Sequence, residues 1–320
     1  MKPLDFERPL DALYTKIEEL KQLSEESDID LTDDIKTIEA RADKMKKQIY
    51  QSLTPSQIIQ IARHPNRPTT LGLSQLLCSD FIELKGDRTF RDDPSIVGGI
   101  GTLGMYRVML IGHQKGADTK EKIKRNFGMP HPEGYRKALR LMKMADKFKM
   151  PIITFIDTPG AYPGKEAEER GQAEAIARNL KEMIGINVPI LSVVIGEGGS
   201  GGALGIAVAN RILMLEYAVY SVISPEGCAS ILFRDASQAQ YAAEKLKITA
   251  KDIVDLGIAD TILPEPQGGA HNHWEDTSNT IKTALLKELN QLVLLDSETI
   301  KNDRYQKFRS FGQFKDKTIA

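Results

Sequence analysis

The chain has 320 residues, 41% hydrophobic and 27% charged, with 43 basic and 44 acidic side chains and a formal net charge of −1. The length suits about two domains. The near-zero charge gives no general pull toward nucleic acid or an anionic membrane, and no run approaches the roughly 18 apolar residues of a membrane span. Two cysteines, Cys78 and Cys228, are too few for a zinc ribbon or a disulfide scaffold, and MKPLDFERPL lacks an apolar signal core, which together point to a reducing, cytoplasmic compartment.

Residues 1–53 read as a helical hairpin. Leu13, Ile17 and Leu20 recur at helical spacing, as do Ile35, Ile38, Ala42, Met45 and Ile49, and the polar stretch Ser24–Asp34 turns the chain. One narrow apolar face on each arm suits packing against the main domain or a partner. Thr54-Pro55-Ser56-Gln57 opens the next helix, with Thr54 as cap, Pro55 at the first position and Gln57 completing a capping box. That helix stops near His64, before Pro65 and Pro68, and His64 reads as a capping or surface histidine. A helix over 71–84 follows.

Ile96–Leu103 and Tyr106–His113 form a strand pair joined at Gly104-Met105. Gly99, Gly101 and Gly104 spell G-x-G-x-x-G, but a strand rather than a helix follows, so the nucleotide-binding context is missing. Lys120, Lys122, Lys124 and Arg125 make a basic patch, either a solvated loop or a dock for a phosphorylated ligand. His131-Pro132-Glu133 opens a long helix to about Lys149. The buried strand Pro151–Ile156 runs into Asp157–Gly164, whose two prolines and two glycines make a shaped loop.

A helix over 166–184 with Gly171 inside it leads to the strand Val188–Ile195, and then to G-E-G-G-S-G-G-A at 196–203. Further strands follow at Arg211–Glu216 and Ala218–Ile223, helices at 238–246 and 249–256, a short strand at Ile258–Leu263 and a last helix, Thr280–Leu294. The expected division is an arm over 1–53, an α/β domain over 54–295 and a charged tail over 296–320. Helical crossovers between buried strands imply a largely parallel sheet, whose ligands sit at the carboxyl ends of the strands. The loops at 157–164 and 196–202 both lie there.

Three motifs overlap in the second loop. Gly196, Gly198 and Gly201, with Glu216 downstream, fit a dinucleotide site, which makes an NAD-dependent oxidoreductase one alternative. Gly198, Ser200 and Gly202 fit the nucleophile elbow of a serine hydrolase, for which Asp235, Asp255, His271 and His273 are the available partners. The third reading is an oxyanion hole of backbone N–H groups at a helix start. The His271–His273 pair offers only two ligands, which argues against a metal site.

Several stretches separate these readings. They include Arg67-Pro68, Gly86-Asp87-Arg88, IVGGI (96–100), IGHQKG (111–116), PEGYRKALRLM (132–142), FIDTPGAYPG (155–164), GEGGSGGA (196–203), YSVISPEGCASIL (220–232) and EP-GGAH (265–271). Spread from about 67 to 271, they resemble the carboxyltransferase alpha subunits of bacterial acetyl-CoA carboxylase. The resemblance implies a crotonase-like fold of ββα superhelical turns. It implies transfer of a carboxyl group from carboxybiotin, borne on the biotin carboxyl carrier protein, to acetyl-CoA, giving malonyl-CoA for fatty acid synthesis. It also implies a beta subunit that carries the zinc, an α2β2 heterotetramer, and a larger complex with the ATP-using biotin carboxylase. Within that picture the N–H groups of Gly201 and Gly202 would face the ureido oxygen, while Gly160 and Ala161 form the opposite wall. Gly198 and Gly199 either allow that approach or serve tight packing. The basic patch at 120–125 is a candidate for the phosphates of CoA. Gly202→Val is expected to abolish malonyl-CoA formation without unfolding the protein.

Overall fold

A computed structural model describes residues 4–27 and 30–312; the tip of the N-terminal hairpin and the last part of the tail lie outside the described residues. The arm consists of α1 (Arg8–Ser27) and α2 (Thr32–Gln51), whose apolar stripes meet at Leu10, Ile17 and Ala42. The arm is joined to the body where Tyr50 packs at 5.7 Å on Tyr217 and donates its hydroxyl to Glu7 at 2.6 Å.

The body begins with α3 (Pro55–Ala62) and α4 (Thr70–Leu77). The capping box of α3 forms, with Thr54 accepting from Gln57 N–H and Gln57 returning to Thr54 N–H. The expected helix over 71–84 is shorter: α4 ends at Leu77, and β1 (Ile82–Glu83) follows as an edge strand. Next come β2 (Ile96–Leu103), β3 (Tyr106–His113), α5 (Thr119–Lys124), α6 (Pro132–Lys147) and β4 (Ile152–Thr158). Gly104, at φ +60°, turns the β2–β3 hairpin in two residues, and eight residue pairs align across it. The expected helix over 166–184 is two helices, α7 (Lys165–Glu169) and α8 (Gln172–Ile184), because Gly171 takes a left-handed conformation at φ +83°.

Then follow β5 (Ile190–Gly199), α9 (Ser200–Leu204), β6 (Arg211–Leu215), β7 (Val219–Ser221), α10 (Pro225–Leu232), α11 (Ala239–Lys245), α12 (Ala250–Asp255), β8 (Thr261–Leu263) and α13 (Trp274–Leu292). Part of the charged tail forms a final helix, α14 (Ser297–Arg309), capped by Asp296. It is held by Arg304, a fully buried residue whose guanidinium donates to the carbonyls of Met183, Ile186 and Val188 and to Asn210 Oδ1, at 2.7–2.8 Å.

The strands form one mixed sheet in the order β1-β2-β3-β4-β5-β6-β8, with β7 beside the far end of β5. The first three strands are antiparallel and β3 through β8 are parallel. Every residue of β4 and β5 is buried, as a parallel strand covered by helices on both faces requires. Among the described residues, no helix is long and apolar enough to cross a membrane.

Candidate active site

The carboxyl edge of the sheet is built around the end of β5. The sequence suggests a strand ending at Ile195 and a loop beyond it. In the structure β5 continues to Gly199, because Glu197–Gly199 pair with Val219–Ser221 of β7 and Gly198 pairs with Thr158 of β4. The chain then turns sharply at Ser200, whose φ of +54° is in the left-handed region, and enters α9.

Steric contacts divide the glycines into two kinds. A Cβ on Gly198 would lie 2.1 Å from the Tyr220 ring, on Gly199 2.1 Å from the Pro159 carbonyl oxygen, and on Gly202 2.3 Å from Ala161 N. These three allow backbone and ring to pack where no side chain fits. The contacts also bring the 157–164 loop, with Gly160 and Ala161, directly against the α9 turn. Thr158 holds that loop by donating its hydroxyl to the Gly160 carbonyl and accepting from Gly160 N–H. Gly201 is different: the nearest atom to an added Cβ is Ile176 Cγ2, at 3.8 Å. The expectation that Gly202→Val spares the fold is therefore corrected, since its side chain would meet backbone rather than open space.

Ser200 and Gly201 face a cavity of about 360 Å³ whose other walls include Tyr220, Val222, Ile248 and Leu256. Its walls are largely apolar, and it opens at the first turn of α9, where helix N–H groups lack intrahelical acceptors. A larger cavity of about 630 Å³, lined by Phe148, Pro151 and Pro189 among others, lies at the amino ends of β4 and β5. Ligands of such sheets bind at the opposite edge, so the smaller cavity is the candidate site.

Beside the glycine turn, charged side chains tie five segments together. Lys115, just after β3, sits 2.7 Å from Asp157 and 3.7 Å from Glu197. Asp157 also accepts from the N–H of Glu197, and Arg63 pairs with both Glu197 and Glu226. Deeper in, Arg67 makes a two-pronged pair with Glu265 at 3.0 and 2.5 Å and donates to the Ile195 carbonyl at 2.6 Å. These residues fix the ends of β4 and β5. Sequence reasoning missed them because they are scattered from residue 63 to 265 with no local period; only their presence in the resembling stretches marked some of them.

The other sequence candidates lie elsewhere. Lys120, Lys122 and Lys124 are on α5, and Arg125 caps that helix, pairing with Glu121 and donating to the Pro94 carbonyl. None of the four lines the Ser200 cavity. His64 is not a surface histidine: it is buried and stacked at 4.1 Å on His271. Burial, with Arg67 and His64 adding in the same direction, pushes the His271 pKa down to about 3. His273 faces Asp276, and Asp235 caps a short turn, so neither they nor the exposed Asp255 meet Ser200. Glu216 is half-buried and accepts from Glu265 N–H, which leaves it badly placed to hold a ribose. Neither the hydrolase nor the dinucleotide reading has support. Among the described residues, no group of three or more His, Cys, Asp or Glu side chains is arranged to hold a metal ion.

The family described as "Acetyl co-enzyme A carboxylase carboxyltransferase-like" matches residues 3–312. The chain belongs to the acetyl-CoA carboxylase carboxyltransferase family. It is 58% identical over 311 residues to the acetyl-coenzyme A carboxylase carboxyl transferase subunit alpha of Geobacillus sp. (strain WCH70), covering 97% of this chain and 96% of the relative. It is 56% identical over 313 residues to the subunit of the same name from Prochlorococcus marinus (strain MIT 9215), covering 97% and 93%.

Among solved structures, a Pseudomonas malonate decarboxylase hetero-tetramer in complex with coenzyme A aligns with a TM-score of 0.60 at 17% identity, over 76% of this chain and 95% of that one. The transcarboxylase 12S structure aligns with a TM-score of 0.53 at 17% identity over 78% of this chain, which spans 43% of the transcarboxylase chain. The P. aeruginosa geranyl-CoA carboxylase beta subunit gives 0.56 at 14% identity, over 76% of this chain and 46% of that one. At these identities the likeness concerns the fold, which is the crotonase-like α/β fold of carboxyltransferases. The antiparallel β2–β3 pair and the parallel strands with helical crossovers are its elements here.

Proposed function

We propose that this chain is the alpha half of a carboxyltransferase that acts on acetyl-CoA with a beta subunit, the carboxyl donor being carboxybiotin on a carrier protein. The observation that carries the reading is the opening of the α9 first turn at Gly201 onto an apolar cavity at the carboxyl edge of the sheet. A bicyclic ring with one polar urea edge suits such a pocket. The apolar walls contact the rings, and the turn offers N–H donors to the oxygen.

When bound, carboxybiotin supplies the carboxyl group, and negative charge develops on its ureido oxygen as that group leaves. The N–H groups of Gly201 and Gly202 face that oxygen and stabilise the charge, and removing one such donor typically lowers the rate by about 10²–10³. Gly160 and Ala161 close the opposite side, and Gly198 and Gly199 let Tyr220 and the 157–164 loop approach. Tyr220 stays neutral, since burial pushes its phenol up to about 12. Ser200 holds the turn and performs no chemistry. The beta subunit contributes the zinc and the rest of the site, in an α2β2 assembly within a complex containing biotin carboxylase, and the malonyl-CoA formed feeds fatty acid synthesis in the cytoplasm.

The test is an assay of malonyl-CoA formation from acetyl-CoA and carboxybiotin, with this chain alone, the beta subunit alone and the two mixed. Turnover only in the mixture is expected. A folded, assembled mixture with no turnover would overturn the reading.

A further inference from the structure

The carbonyl of Gly202 is bonded in an unusual way for a helix. In a continued α-helix it would accept from Ile206 N–H, but that donor goes instead to the Ala203 carbonyl, at 3.2 Å. Two buried side chains take its place: the hydroxyl of Tyr135, at 3.1 Å, and Nε2 of His113, at 3.2 Å. Both side chains are fully buried. A carbonyl only accepts, so His113 carries a proton on Nε2. Burial pushes its pKa down to about 3. The other ring nitrogen, Nδ1, has no hydrogen-bond partner.

Three elements converge on this short segment. His113 ends β3 and Tyr135 lies on α6. Asn179 of α8 donates to the carbonyls of both Tyr135 and Gly205, at 3.0 and 2.9 Å. Burying an imidazole with one unsatisfied nitrogen is costly, and a continued helix would have satisfied the same carbonyl with a backbone donor. What the arrangement achieves is position. Two donors on the carbonyl fix the ψ torsion of Gly202, a residue otherwise free to rotate. Ala161 lies against the face where its side chain would be.

We infer that His113 and Tyr135 are positioning residues: acting through the Gly202 carbonyl, they hold the N–H groups of Gly201 and Gly202 at the geometry in which they meet the developing charge. This rests on the glycine-donor reading above. Preorganised donors act chiefly in the transition state, so loosening them lowers kcat and leaves KM unchanged.

The experiment uses the assembled complex of both subunits, with circular dichroism and gel filtration to count folded, assembled enzyme. Tyr135→Phe removes one oxygen from a fully packed ring, and kcat per assembled enzyme is expected to fall about tenfold, the worth of one well-placed hydrogen bond, with KM for acetyl-CoA and carboxybiotin unchanged. His113→Gln, which keeps an N–H donor, should stay within about threefold of wild type, whereas Tyr135→Phe combined with His113→Leu should lose more than either alone. Gly201→Pro deletes a donor, and because a proline also disfavours the left-handed conformation of Ser200 before it, its kcat is counted only per folded, assembled enzyme; Gly201→Ala is its steric control. Tyr135→Phe at wild-type kcat while Gly201→Pro falls by about 10²–10³ would overturn the positioning role alone. Wild-type kcat in Gly201→Pro would overturn the donor reading and the positioning role with it. A loss in Tyr135→Phe that only tracks the fraction of unfolded enzyme would also overturn the proposal.

Discussion

At the amino edge of the sheet, the turn leading into β5 presents the carbonyls of Met183, Ile186 and Val188, and the guanidinium of Arg304 binds all three. At the carboxyl edge, the turn leaving β5 has its Gly202 carbonyl bound by His113 and Tyr135, while Ser200 and Gly201 of the same turn line a cavity. Both edges bring buried side-chain donors to backbone oxygen. The amino edge uses a permanent charge and closes the structure. At the carboxyl edge Arg67 binds the Ile195 carbonyl in the same way, but the Gly202 carbonyl is held by neutral donors.

The largest effect is expected from Gly202→Val. Its side chain would enter backbone at Ala161, 2.3 Å from Cβ, and the variant should fail to give soluble, assembled protein in a gel-filtration assay. Arg304→Met comes next. It strips donors from several buried carbonyls, and urea unfolding should show a loss of about 3–5 kcal/mol, with kcat per folded enzyme unchanged because the amino edge takes no part in the chemistry. A normal urea midpoint in that variant would remove the closing role assigned to the amino edge.

Acid should weaken the fold through its buried histidines. His113 and His271 are held near 3 in the folded protein against about 6.5 when unfolded. The unfolded chain therefore binds more protons between these values. The stability they contribute is complete above pH ~6.5 and falls as the pH drops toward 3, by about 1.4 kcal/mol per unit for each histidine. His271→Gln should reduce the slope of stability against pH between 7 and 5, and an unchanged slope would contradict the assignment. Arg304, lowered by burial only to about 10, stays charged throughout that range. The smallest effect is expected from Gly201→Ala. Its Cβ would make only an ordinary van der Waals contact, with Ile176 Cγ2 at 3.8 Å, so stability by thermal melting should change by less than about 0.5 kcal/mol.

Much of this architecture is written locally. The β2–β3 hairpin follows from two apolar runs around Gly104, the capping box of α3 from Thr54 and Gln57, and the parallel core from the mostly apolar runs that begin β4 and β5. The strand–loop–helix order put the glycine turn and the 157–164 loop at the carboxyl edge, and the resemblance proposed their roles. What escaped the reading depends on residues distant along the chain. The extension of β5 through Gly199 needs β7, which forms only after another strand has been laid down. The His64–His271 stack and the Arg67–Glu265 pair join segments about two hundred positions apart. Arg304 was hidden for another reason: a long cation reads as a surface residue, and only the carbonyls awaiting it make it a core residue.

The position of Arg304 also bears on how the protein is made. Its partners at Met183 to Val188 are separated from it by 116 to 121 residues. At synthesis rates of about 5–20 residues per second, the lead-in to the central strand waits roughly 6–24 s for its lock to be synthesised. During that interval β5 and the glycine turn at its far end belong to an unfinished sheet with unanswered carbonyls. Synthesis of α14 is thus a folding event in its own right, and a helix translated late secures a strand laid down long before it.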